Sequence, residues 1–242
     1  MPAPAHEPRI RILLIVLILW AGSAGCGKED SPTTGPSTFT STSPVVFTDQ
    51  TFAPGDWPTG ATEIIVVGPM GGSGSASQQT SGGNSGAYRE VVASKNATAG
   101  TGQSGATWGF SFKPAATYNP TQQGAITSID FAVDAMQFVQ FDISGGSVAL
   151  ALLQGGTRYY APHPQSAGGQ LAVPERSWTR KARSGLVQSD FRDNDQTGRP
   201  LDFSASGAPI TLGFVYWVST PIDGGLSQRT AGFDNWTVTV RR

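Results

Sequence analysis

The feature that most constrains this chain is a hydrophobic period of two, repeated in segment after segment. Trp108, Phe110 and Phe112 alternate with Gly109 and Ser111, and Ile129, Phe131 and Val133 alternate with Asp130, Ala132 and Asp134. Val139, Phe141 and Ile143 follow the same rule, as do Val148, Leu150 and Leu152. So do Leu212, Phe214, Tyr216 and Val218, and finally Trp236, Val238 and Val240. Successive strand side chains point to opposite faces, so this alternation predicts strands with one face on a core and one in water. Further strands are expected at 45–49, 63–67, 88–93, 157–161 and 177–180. The separators are glycine pairs such as Gly82-Gly83, Gly155-Gly156 and Gly224-Gly225, which suit tight turns. The only helical hint is a turn or two at 186–191, and crossover helices for an α/β fold have no place to sit. The expectation is an all-β, antiparallel jelly-roll sandwich of about ten strands with minimal helix.

Composition narrows the function. The net charge is -1 and charged residues are 14%, against about 25% in ordinary soluble proteins. Nucleic-acid binding needs a basic face, so that class is excluded. A single Cys excludes an internal disulfide and a cysteine-rich zinc site.

Residues 1–25 read as an export signal. Arg9 and Arg11 precede nine unbroken apolar residues, 12–20, and small residues follow. That run is about half of what a spanning helix requires. Ser23-Ala24-Gly25-Cys26 resembles the lipobox of bacterial lipoproteins, with Ser23 where Leu, Val or Ile is usual. The resemblance implies a lipidated (palmitate-bearing) Cys26 as the mature N-terminus, and so a membrane partner through acyl chains. In a Gram-negative cell, Gly27 and Lys28 lack the Asp that usually retains such proteins in the inner membrane, which favours the outer membrane or cell surface. Residues 26–44 then form the lipidated Cys plus a tether. Its 27–44 part holds nine Ser/Thr and three Pro and is expected to be disordered, with a reach of up to about 55 Å. Residues 45–242 are expected to be one sandwich domain.

Three passages within that domain carry a family resemblance. They are Phe47-Thr48-Asp49 with Phe52 and Asp56-Trp57, the run Gln78 to Arg89 with its Gly82-Gly83-Asn84-Ser85-Gly86, and Ala231-Gly232-Phe233-Asp234-Asn235-Trp236. They resemble exported bacterial jelly-roll sandwiches of the galactose-binding-like and laminin IV-like kind, with concanavalin A-like lectins second. Ser85 stands where Pro is usual. The resemblance implies a fold and no catalytic residue. It also implies a structural Ca²⁺ where first and last strands meet, with Asp49, Asp234 and Asn235 as ligands; a turn cap at Asp234-Asn235 is the alternative.

Catalytic motifs are sparse. His163, between two prolines, is the one His after the signal, and no G-x-S-x-G elbow exists. Asp130, Asp134 and Asp142 alternate with core residues and are expected on the solvent face. Asp190, Asp193, Asn194 and Asp195 read as a plain surface loop. Sugar recognition needs aromatic faces with a few polar groups, and candidates exist. Trp108 and Trp236 are in phase with the core. Tyr160, Trp178 and Trp217 are expected as exposed platforms, with Arg158 and Arg180 beside them. The first expectation is therefore a membrane-anchored, non-catalytic binding or adhesion module with a glycan ligand. A polysaccharide hydrolase or lyase, and a structural envelope lipoprotein, are the alternatives.

Overall fold

The computed structural model describes residues 43–59, 62–67, 72–97, 106–140, 146–162, 169–219 and 225–242. Two antiparallel sheets form a jelly-roll sandwich. The first contains β1 (Val45–Asp49), β3 (Gly72–Gly83), β4 (Gly86–Ala97), β6 (Ser128–Gln140), β10 (Thr179–Leu186) and β13 (Gly225–Arg241). Its order is β10-β6-β13-β4-β3, and β1 lies beside the second half of β13. The second contains β2 (Thr62–Val67), β5 (Ala106–Tyr118), β7 (Gly146–Gln154), β8 (Thr157–Ala161), β9 (Leu171–Ala172), β11 (Arg192–Asp193) and β12 (Ile210–Ser219). Its order is β11-β8-β7-β12-β5-β2, with β9 against β7. The described helical elements include α1 (Pro120–Gln123) and a 3-10 turn at Gln188–Asp190.

Between the sheets, Phe131, Val133, Phe233, Trp236 and Val238 meet Leu150, Leu152, Leu212, Phe214 and Tyr216. Each such side chain contributes roughly 1.5–3 kcal/mol by leaving water. Trp57, from the loop after β1, closes one end of this layer. Its ring lies 5.3 Å from Trp236 at 90° and 5.6 Å from Phe214.

The sequence periodicity identified the strands well but not always the inward face. In β5 the aromatic residues Trp108, Phe110 and Phe112 lie on the outer face of the second sheet. Thr107, Gly109 and Ser111 face the first sheet, because a buried arginine fills that space. Arg89 of β4 donates from Nε to Ser111 Oγ at 3.2 Å and from Nη1 to the Trp57 carbonyl at 3.1 Å. A Cβ at Gly109 would sit 3.1 Å from Val91. Parity alone fixes which residues share a face, not which face is inside.

The second sheet is also buried on both sides. Gly146 to Leu152 and Leu212 to Val218 are buried without a break. Such runs mark strands covered on two faces. The outer layer joins Phe110, Phe112, Ala149, Ala151, Tyr160, Val215 and Trp217 into a second apolar cluster, with Trp108 stacked on Trp217 at 4.8 Å. Residues 186–191, expected to be helical, instead close β10 and turn once at Gln188–Asp190. The long strand β3 has almost no apolar residues and went unrecognised in the sequence.

Candidate functional site

The outer face of the first sheet brings aromatic and polar groups together. On β13, Gly232 pairs with Glu90 of β4 on one side and Met136 of β6 on the other. The ladder between β6 and β13 slips between Thr230 and Ala231, leaving Phe138 as an extra residue on β6. Such a bulge re-aims its side chain. Phe138, Tyr88 and Trp178 then gather over Gly232. Tyr88 and Phe138 are 5.3 Å apart, Tyr88 and Trp178 5.6 Å, and Phe138 and Trp178 6.0 Å between ring centroids. Glycine is required beneath them, since a Cβ there would lie 2.7 Å from both Phe138 and Trp178 and 2.9 Å from Tyr88. Trp178 is held by its approach loop, in which Gln137 N donates to the Pro174 carbonyl at 2.8 Å and Arg176 N to the Gln137 carbonyl at 3.0 Å. Tyr88 is buried, whereas Trp178 and Phe138 remain half-open.

Polar groups fringe these rings. Burial, reinforced by the charge of Glu90 and a hydrogen bond to it, raises the Tyr88 phenol above its ordinary pKa. Gln79 Nε2 donates to the same Glu90 carboxylate at 3.2 Å. Beyond lies a network around two aspartates facing each other across β6 and β13. Asp134 Oδ2 accepts from Asn84 Nδ2 at 2.6 Å and Asn235 Nδ2 at 2.8 Å, and Arg180 Nη1 donates to Oδ1 at 3.3 Å. Asp234 accepts from the backbone N of Asn235 at 2.6 Å and of Ser85 at 3.1 Å. The hairpin between β3 and β4 thus docks on the bulge of β13, uniting two of the passages that carry the family resemblance. Its Gly83 leaves no room for a side chain, a Cβ there lying 2.8 Å from Asp234 Oδ2.

The expected platform residues divide between opposite faces of the sandwich. Trp178 and Arg180 belong to the site above. Tyr160 and Trp217 lie on the outer face of the second sheet and are only 6% and 4% exposed, so they are not the open platforms expected. Their rings are spent on Trp108, at 4.9 Å and 4.8 Å. Arg158 lies there too, over the Phe110 ring at 5.9 Å and paired with Asp195 at 2.8 Å. Tyr88, Phe138, Glu90 and Gln79 were missed by the sequence reading. Tyr88 was legible as a strand residue, but only the pairing of β4 with β13 sets it over Gly232.

The proposed Ca²⁺ ligands are not brought together. Asp234 and Asn235 serve the hairpin on the outer face. Asp49 pairs with Trp236, past the bulge, on the side of the core. Its Oδ1 accepts from Thr51 N and Phe52 N, each at 2.8 Å, and its Oδ2 from Trp57 Nε1 at 2.9 Å and from the Lys113 ammonium. The cation at Asp49 is therefore a lysine. Burial pulls the Asp49 pKa upward, but Lys113, the two amides and the indole outweigh it and hold the carboxyl well below the usual range. Among the described residues, no three His, Cys, Asp or Glu side chains gather as a metal set. Asp134, expected in solvent, is 7% exposed beneath the hairpin. Cys26, His163 and Asp142 lie outside the described residues.

No protein-family model matches the sequence, and a search of curated proteins returns no match. Among solved structures there are partial likenesses. The C-terminal family 22 carbohydrate-binding module of Clostridium thermocellum Xyn10B superposes with a TM-score of 0.37 at 16% identity, over 79% of this chain and 92% of that one. The module CtCBM11 gives 0.37 at 14% identity, over 75% of this chain and 88% of that one. The CBM22-1 xylan-binding domain of Paenibacillus barcinonensis Xyn10C gives 0.34 at 9% identity, over 75% and 97%. At these identities and TM-scores the likeness decides nothing about role or ligand, which rest on this chain's own residues.

Proposed function

We propose that the protein is a non-catalytic, glycan-binding module anchored at the bacterial cell envelope through a lipidated Cys26, outside the cytoplasm and on the outer membrane or cell surface. The observation that carries the binding reading is the half-open ring cluster of Trp178 and Phe138 over Gly232, fringed by Glu90, Gln79 and Arg180. A sugar ring offers an apolar C–H face to such aromatic edges and hydroxyls to the polar groups around them. The neighbouring carboxylates support binding without hydrolysis. Asp134 and Asp234 are buried and engaged by amide and backbone donors, so neither is presented as a proton donor to a glycosidic oxygen.

A glycan array probed with the full chain and with Trp178→Ala, with and without Ca²⁺, tests the reading. Binding to neutral oligosaccharides that Trp178→Ala weakens at least tenfold is expected. An array silent for the wild type would remove it, and reducing-sugar release from a bound polysaccharide would replace it with a hydrolase.

A further inference from the structure

Glu90 is the carboxylate that the strand ladder sets against the ring cluster. It stands two residues after Tyr88 on β4, so both side chains point to the outer face of the first sheet. Directly across the ladder it faces Gly232, the floor beneath the rings. The Tyr88 hydroxyl donates to its carboxylate. Gln79 Nε2 donates to Glu90 Oε1 at 3.2 Å and to Ser77 Oγ at 3.2 Å. Ser77 is the ladder partner of Glu90 on β3, as Gln79 is of Tyr88, and Ser77 is exposed. Three acceptors thus share one spot beside the rings: the Glu90 carboxylate, the Gln79 amide oxygen and the Ser77 hydroxyl.

No side chain supplies this carboxylate with a counter-charge. Among the described residues, no Lys or Arg forms an ion pair with Glu90. Asp134 and Asp130 of the same sheet, by contrast, have Arg180 and Arg241. The chain neighbour Arg89 points the other way, into the sandwich, where it bonds Ser111. Arg180 lies on β10, three strands away across β6 and β13, or roughly 14 Å at the usual strand spacing. It is already held by Asp134 and by the Asn235 carbonyl, at 2.6 Å. Arg176 stands on that same far side, its amide on the Gln137 carbonyl of β6. Exposed charges separated by more than about 8 Å are largely screened at physiological salt, so Arg180 does little for Glu90.

We propose that the aromatic patch selects glycans that carry a free amino sugar, with the ammonium seated on Glu90, Gln79 and Ser77 while a sugar ring rests on Trp178 and Phe138. An ammonium offers three donors and no acceptor, which matches a cluster of acceptors holding one negative charge. A sugar hydroxyl at the same place gains an ordinary hydrogen bond, whereas one between two ionised groups is shorter and roughly twice as strong. The ring faces are electron-rich, so they too favour a cation over an anion. This deepens the glycan reading and rests on it for the sugar ring.

Tetrasaccharides of β-1,4-linked glucosamine and β-1,4-linked glucose make the test, because they differ only by amino groups in place of hydroxyls at carbon 2. Calorimetric titration of the full chain is run at about pH 5.5, where the amine is charged and an ordinary Glu is ionised. The glucosamine probe is expected to bind at least tenfold more tightly than the glucose probe. N-acetylation of that probe removes its charge and is expected to remove the preference, and raised salt to shrink it. In Glu90→Gln the two probes are expected to bind alike, and Trp178→Ala is expected to weaken both. Equal affinity of the wild type for the two probes, a preference that survives acetylation or Glu90→Gln, or no binding of the glucosamine probe would overturn the proposal. The acetylated probe and the salt series use the wild-type protein, so they decide the matter even where a variant fails to fold. Neutral glycan binding lost in Trp178→Ala would stand in each of those cases.

Discussion

Asp49 shows how one residue ties a loop to a sandwich. Its carboxylate is buried, yet every contact it makes is a donor, so ionisation is favoured in the folded state. The folded pKa is depressed below an unfolded value of about 3.9. Its contribution is therefore fully present above about pH 4–5 and is lost as pH falls through the folded pKa. Asp49→Asn is expected to cost about 2 kcal/mol at neutral pH, since it removes the charge that four donors converge on and leaves Lys113 only the exposed Asp56 at 3.2 Å. It should also flatten the dependence of stability on pH below 5, which urea melts across that range would reveal. Tyr160 tests the covered outer face of the second sheet. Burial pushes its phenol up to about 12, with nearby Arg192 opposing the shift, so it should stay protonated at pH 11 in the folded protein. Ultraviolet difference titration of wild type against Tyr160→Phe should differ little at that pH; a full phenolate increment lost in the variant would mean an accessible ring. In sequence, Asp49 stood out by its position beside Phe52 and Trp57. Its partner Lys113 is distant in the chain, and only the fold makes the pair visible.

At the level of elements, the hairpin of Gly82 to Gly86 and the bulge at Asn235 work as one joint. Asn235 adopts a φ of 50°, and the slip it introduces sends Asp234 outward and Trp236 inward. Asn84→Ala removes the 2.6 Å hydrogen bond to buried Asp134 and is expected to destabilise by about 1–2 kcal/mol, measured by chemical denaturation. The strands themselves were largely legible, because an alternating pattern survives whatever lies across the sheet. The expected strand at 45–49 coincides with β1, and 148–152 lies within β7. Inward and outward faces were less legible. The polar-looking side of β5 turned inward because Arg89 lies opposite it, and β3 escaped notice because its Gly, Ser and Gln residues carry no hydrophobic rhythm. The candidate site was half legible for a related reason. Trp178 and Arg180 could be read as candidates, but the glycine floor and the bulged Phe138 depend on pairing between distant strands.

For the whole molecule, two separate claims stand: where it sits and what it holds. Replacing Cys26 by Ala is expected to move the protein from the membrane to the soluble fraction, and unchanged sedimentation would contradict the lipid anchor. The sandwich itself gives each of its faces a different character. The second sheet carries a buried aromatic layer, while the first carries half-open rings beside a polar network. The proposed ligand binding uses the latter, and one measurement addresses that most directly. Gly232→Ala places a methyl group within 2.7 Å of Phe138 and Trp178, and it should disturb the patch. Tryptophan fluorescence titration of the wild type, Gly232→Ala and Trp178→Ala with a neutral oligosaccharide taken from the array compares all three. The expected result is saturable binding by the wild type, weakened at least tenfold in both variants, with their folds intact by circular dichroism. Equal affinity in all three folded proteins would place the sugar elsewhere and contradict the assignment.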